Sequence, residues 1–160
     1  SVLEPTPGVG YLSNELISAG FNVTAPIDYF LLDKKLKFDA VVMNAPFSKN
    51  SLNIENAPPE YLKVKGMKAG YNILFECMQK APIVVALVPW FTISDSDVRL
   101  RAIKKFGLKS VTLLPRRTFN YTTIQTCVIE LHKNWNEPTV FNVYDLMVQN
   151  LEYKESKLFD

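Results

Sequence analysis

The chain has 160 residues, 48% of them hydrophobic and 21% charged, which suits one folded domain with a sizeable core. A formal net charge of +2 is too small to imply a nucleic-acid partner unaided. No apolar run approaches the roughly 18 residues a membrane helix needs, and no signal peptide is visible, so the expectation is a cytoplasmic protein without a membrane span.

Residues 2–4 read as the end of a strand. Residues 11–19 follow a helical pattern, with Leu12, Leu16 and Ile17 on one face and Gly20 as the stop. A short second strand is expected over 21–25 and a helical turn within 28–36. Residues 39–43 form a buried strand, whose Val41-Val42 pair suits a parallel sheet. Residues 48–59 form a polar loop, and 60–80 hold a helix, clearest over 71–80. A buried strand follows at 83–88. The run Ser94-Asp95-Ser96-Asp97 caps a helix that reaches Lys105 and ends at Gly107. Strands are expected at 108–114, 123–131 and 139–143, a helix at 144–150, and a loose tail at 151–160. Strands alternating with helices argue for a parallel or mixed α/β sheet, here as one domain over 1–150. There is no internal repeat.

Two turns carry chemistry. In Glu4-Pro5-Thr6-Pro7-Gly8-Val9-Gly10, glycines after a strand let the backbone approach a ligand, because they lack the Cβ that would block it. The pattern lacks the third Gly of a dinucleotide fingerprint and the Gly-Lys-Ser/Thr of a phosphate loop. In Asn44-Ala45-Pro46-Phe47 a buried strand stops at Asn, then Pro, then an aromatic. Pro46 stiffens the backbone and supplies no N–H. The Asn44 side chain and nearby carbonyls are left to accept hydrogen bonds, and Phe47 to stack on a flat ring. That is a pocket for a planar amine such as a nucleobase.

In this order the two turns resemble the signature segments of class I S-adenosylmethionine-dependent methyltransferases, and more narrowly those acting on the exocyclic amine of adenine. The resemblance covers about residues 2–133. That family has an acid-Pro-x-x-Gly-x-Gly turn and an Asn-Pro-Pro-Phe/Tyr turn; here Ala45 replaces the first Pro of the second. The resemblance implies a Rossmann-like three-layer α/β/α sandwich with a mostly parallel sheet. It also implies S-adenosylmethionine as cofactor, held by Glu4, Pro5, Thr6, Gly8, Gly10, Asp28, Tyr29 and Asn44. Glu4 would face the cofactor's sulfonium or amino group, or a water bound to it, and Asp28 the amine of its adenine. The catalytic turn would be Asn44, Ala45, Pro46 and Phe47, with Asn44 Oδ1 and the Ala45 carbonyl accepting from the substrate amine. Such enzymes occur in phage and restriction–modification systems, and their substrate base must leave the DNA stack. Three departures stand out. About 34 residues from Gly10 to Asn44 are too few for strand, helix, strand, helix and strand, so a helix and a strand are expected to be missing. Thr24-Ala25-Pro26 stands where the family has its ribose-binding acid. The chain opens inside the first strand without Met, and the segment that normally precedes it is expected to be missing.

Lys49, Arg116 and Arg117 are the candidate phosphate contacts, with Lys63, Lys65 and Lys68 nearby in sequence. Tyr29, Phe30, Phe47, Trp90 and Phe91 are candidate base-stacking aromatics or core. Cys77 and Cys127 read as buried free thiols, His132 as structural, and no metal site is expected. The leading reading is methylation of adenine in DNA, with a homodimer or a recognition partner possible. The alternatives are methylation of RNA adenine or protein glutamine, and a non-catalytic remnant serving as a binding module.

Overall fold

The computed structural model describes residues 1–46, 56–62, 68–116, 118–119 and 123–144. Seven strands make one sheet: β1 (Val2–Leu3), β2 (Val23–Thr24), β3 (Ala40–Asn44), β4 (Ile83–Pro89), β5 (Leu108–Leu113), β6 (Thr126–His132) and β7 (Val140–Val143). Their order is β2-β1-β3-β4-β6-β5-β7, and every neighbouring pair is parallel except the two made by β6. The described helices are α1 (Tyr11–Ser18), α2 (Pro59–Leu62), α3 (Lys68–Lys80), α4 (Phe91–Ser94) and α5 (Asp97–Phe106), with a 3-10 turn at Tyr29–Leu31. The expected mostly parallel α/β sheet is therefore what these residues form.

Side-chain alternation explains the layers. Leu3, Val41, Met43, Val84, Ala86, Ile129 and Leu131 point to one face of the sheet and are buried there. They form one core with Ile73, Leu74 and Cys77 of α3 and Ile103 of α5. Glu4, one residue past Leu3, points to the opposite face and takes the hydroxyl of Ser13 on α1. Helices thus lie on both faces. The α5 cap is as the sequence reads: Ser96 Oγ accepts from the Arg99 amide at 3.3 Å, Asp97 stands in the first turn, and Lys104 and Lys105 in the last.

The shortened middle is real. Only α1, β2 and the 3-10 turn stand between Gly10 and β3, which leaves β2 at the sheet edge. β2 is also shorter than residues 21–25, because Phe21 is used in closing α1: its amide bonds the Leu16 carbonyl at 3.1 Å. Of the helix expected over 60–80, α2 and α3 are described; residues 63–67 between them lie outside the described residues. The loop at 48–55, the helix expected at 144–150 beyond Tyr144, and the tail at 151–160 also lie outside them. The short helix α4 has no counterpart in the sequence reading. No described helix is long and apolar enough to cross a membrane.

Candidate active site

Strand order fixes the place to look. From β1 the chain goes out through α1 to the edge strand β2, then returns past β1 to β3 and continues to β4. The direction of travel reverses between β1 and β3, and ligands of such sheets bind beyond the carboxyl ends of the strands at that reversal. Leu3 is in register with Val41, so β1 stops while β3 runs on to Asn44. The Gly-containing turn leaves β1 at this point, and Thr6 Oγ1 donates to the Asn44 carbonyl at 3.1 Å. The two turns singled out in the sequence are thus in contact.

The first turn presents backbone. The Gly10 amide bonds the Pro7 carbonyl at 2.8 Å, and Gly8 and Gly10 have φ of +55° and +86°. Gly10 is the N-cap of α1, with no side-chain cap and no acid in the first helical turn. A Cβ built at Gly8 would meet nothing within 4 Å, so the chain itself leaves room against this backbone. Glu4 and Pro5 are buried, Glu4 to 1% exposure. The Glu4 carboxylate is held by Ser13, while its amide bonds the Thr24 carbonyl at 2.9 Å. Its described role is to tie β1, α1 and β2 together beneath the turn.

In the second turn Asn44 is exposed, whereas Ala45 and Pro46 are buried beneath it. Phe47 and Lys49 lie outside the described residues, as does Arg117. Arg116 is exposed and its Nε reaches the Thr123 carbonyl at 3.4 Å. Asp28 starts the 3-10 turn: Oδ1 accepts from the Phe30 amide and Oδ2 from Asn56 Nδ2, both at 2.8 Å. Asn56 stands just past the segment that follows the Asn44 turn, so this bond joins the loop after β2 to the stretch after β3. Tyr29 does not face the crevice side by side with Asp28. Its ring is in the core and its hydroxyl donates to Glu76 Oε2 at 2.8 Å. Tyr61 of α2 donates to Glu76 Oε1 at 2.6 Å, and Phe30 packs edge-on against both tyrosine rings. One carboxylate on α3 therefore fastens both flanking segments.

Other groups are structural. Burial pushes the Cys77 and Cys127 thiols up to about 12, and burial with the neighbouring Cys77 and Glu76 raises the Tyr29 hydroxyl far above its ordinary value. Glu130 Oε1 lies 2.7 Å from His132 Nε2 and accepts from Lys109 Nζ at 2.8 Å. The Lys109 bond chiefly holds the Glu130 carboxyl below its ordinary range. This group sits at the amino end of the parallel strands, since His132 pairs with Ile83, and is remote from Asn44. Among the described residues no cluster of three or more His, Cys, Asp or Glu side chains could hold a metal. Ser13, Asn56 and Glu76 were not singled out in the sequence. For Ser13 a signal existed, a small polar residue on the inner side of an amphipathic helix below a buried acid. For Asn56 and Glu76 local sequence holds none.

No protein-family model matches the sequence, and no curated protein sequence does. Solved structures do match in fold. One, assigned to the class I S-adenosylmethionine-dependent methyltransferases and from Listeria monocytogenes, is 15% identical with a TM-score of 0.64, over 89% of this chain and 57% of that one. A type I restriction–modification methyltransferase subunit from Streptococcus thermophilus is 21% identical with a TM-score of 0.52, over 80% of this chain and 32% of that one. The M protein of the type I restriction enzyme EcoKI is 17% identical with a TM-score of 0.53, over 82% and 30%. The chain spans about half or a third of the length of these structures. Its fold is that of the class I S-adenosylmethionine-dependent methyltransferases.

Proposed function

We propose that this chain transfers a methyl group from S-adenosylmethionine to the exocyclic amine of adenine in DNA. The observation that carries the reading is the contact of the two turns at the reversal of strand order, Thr6 Oγ1 to the Asn44 carbonyl at 3.1 Å. The fit to the cofactor rests on the first turn. Open space above Gly8, positive φ at Gly8 and Gly10, and an uncapped start to α1 suit a ligand laid along the backbone. Glu4, Pro5, Thr6, Gly8 and Gly10 would line its place, with Asp28 beyond the end of β2 and Tyr29 supporting Asp28 from the core.

S-adenosylmethionine supplies an electrophilic methyl group when bound. The protein's task is to make a poor nucleophile good. The adenine amine shares its lone pair with the ring. Asn44 Oδ1 and the Ala45 carbonyl, accepting its two N–H bonds, draw the nitrogen towards a pyramidal geometry in which the lone pair is localised. A carbonyl is available from Ala as from Pro, so Ala45 preserves this role. Phe47 would stack on the base, a contact worth roughly 1–3 kcal/mol. No strong base is required, since the surplus proton leaves to solvent after the N–C bond has formed. Lys49, Arg116 and Arg117 would contact phosphate, which makes binding weaken as salt rises.

The test is calorimetric titration with S-adenosylmethionine followed by transfer of labelled methyl to adenine-containing DNA, with RNA and a glutamine peptide alongside. The expected result is micromolar cofactor binding and label on DNA adenine. Asn44→Ala is expected to lose transfer, by at least about 100-fold, while keeping cofactor affinity. Cofactor binding lost together with transfer in that variant would refute the role given to Asn44. Label on RNA or peptide alone would move the substrate, and no binding in the wild type would leave a non-catalytic module.

A further inference from the structure

We propose that Thr6 is a positioning residue for the amine-holding turn, an inference that rests on the function proposed above. The β1–β3 ladder ends at Leu3 and Val41. Beyond it Val42, Met43 and Asn44 keep β4 on one side, in register with Val85, Ala86 and Leu87, while β1 has already turned away on the other. The tip of β3 is an overhang held by one strand. Its last residue must aim an amide oxygen, and the next residue a carbonyl, to within about 0.5 Å for catalysis.

The local sequence does not fix that tip. Asn44 is exposed, and Ala45 has an ordinary rotatable φ where a proline would have a locked one. Pro46 confines Ala45 to extended conformations, but no proline follows Asn44, so the peptide plane joining Asn44 to Ala45 is left unfixed. Thr6 supplies what is missing. Its hydroxyl donates to the Asn44 carbonyl, which belongs to the peptide plane joining Asn44 to Ala45. Holding that plane fixes the frame from which the Asn44 side chain and the Ala45 carbonyl both project.

The mount is itself stiff. Thr6 lies between Pro5 and Pro7. A residue before proline is confined to extended conformations, and a β-branched side chain has a restricted χ1. The hydroxyl therefore stands on a backbone with little freedom. It stands in the cofactor turn, so one hydrogen bond sets the base-holding turn relative to the methyl donor's place.

The experiment compares Thr6→Val, which keeps the shape and loses the hydroxyl, with Thr6→Ser, which keeps it. Steady-state transfer to DNA, cofactor affinity, melting temperature and the carbonyl-carbon resonance of Asn44 are read for each. Thr6→Val is expected to lower kcat roughly 10- to 100-fold, as small misplacements do, with KM for DNA and cofactor affinity within about twofold, because Val keeps the shape that would line the cofactor's place and the lost hydroxyl is the one given to Asn44. The Asn44 carbonyl resonance shifts in Thr6→Val and returns in Thr6→Ser, which recovers most of kcat. Unchanged kcat in Thr6→Val, or a Thr6→Ser as impaired as Thr6→Val, overturns the proposal. So does a lowered melting temperature or cofactor affinity that accounts for the whole effect, since the first is a structural role and the second a cofactor-binding one. A wild type that transfers no methyl group defeats the function reading instead. The carbonyl resonance then decides alone, and an unmoved one shows that Thr6 does not hold the turn.

Discussion

Removing the Glu76 carboxylate is expected to loosen both segments that border the crevice. Glu76 accepts from Tyr29 at 2.8 Å and from Tyr61 at 2.6 Å, and those tyrosines are 7% and 2% exposed. A hydrogen bond to a charged group contributes about 1.5–3 kcal/mol, but Glu76 itself is open to solvent, which argues for the lower end. Glu76→Ala removes both bonds and leaves the buried Tyr29 hydroxyl to find water, so the expected loss is about 2–3 kcal/mol. At roughly 2–4 °C per kcal/mol for a chain of this size, the melting temperature falls by about 4–12 °C. Thermal unfolding followed by circular dichroism measures this. Tyr29→Phe, which removes one bond and leaves no orphaned hydroxyl, is expected to lose less than half as much. The reasoning fails if Glu76→Ala melts within about 1 °C of the wild type, or if Tyr29→Phe is the more damaging change.

Two further outcomes follow from buried groups. A Cβ at Gly107 would stand 2.0 Å from the His132 carbonyl oxygen and 2.6 Å from the Trp135 nitrogen, with φ at +135°. Gly107→Ala must therefore displace the β6 end and the 2.9 Å His132–Gly107 bond, at a cost of about 3 kcal/mol or more, read as a lowered urea midpoint. Alkaline pH is the other perturbation. The unfolded chain sheds its thiol protons from an ordinary value of 9.0, whereas Cys77 and Cys127 in the fold hold theirs to about 12. Between these values the folded state binds more protons, so stability is complete below the unfolded value and falls as pH rises. By about pH 10 each thiol costs on the order of 1.4 kcal/mol. Urea unfolding near pH 8 and about pH 10 checks it, and an equal loss in a variant without both cysteines refutes it.

The sheet was legible because its cues are local. The apolar runs in 39–43 and 83–88 become β3 and β4, and the Ser96 cap and Gly107 stop bound α5. What escaped was written at a distance. The short helix α4 is closed by Arg99, whose Nη2 and Nε reach the Phe91 and Thr92 carbonyls at 2.9 and 3.1 Å. That arginine belongs to the following helix, and nothing in the residue types marks its side chain as turning back to these two carbonyls. Tyr29 likewise read as a crevice residue beside Asp28. Its partner Glu76 stands 47 residues later, and only the packed fold shows that its hydroxyl turns inward. In the candidate site the residue types of both turns were readable. The bond that joins them was not, because Thr6 and Asn44 are 38 residues apart.

The missing strand explains how a shortened chain keeps a coherent crevice. A strand between β2 and β3 in the chain would stand outside β2, at the sheet edge. The crevice is built at the other side of β1, where the Gly turn and the Asn44 turn meet, so none of its contacts passes through the lost element. The β2 edge itself is open: Phe21, Ile27 and Leu31 around it are exposed to 53%, 106% and 71%. Just after β2, Thr24-Ala25-Pro26 offers no carboxylate. Asp28, held between the Phe30 amide and Asn56, is the acid nearest in sequence beyond that strand end. On the function proposed above, the transfer chemistry assigned to Asn44 and Ala45 would keep its scaffold, and the grip on the cofactor's far end would fall to the loop that Asp28 begins.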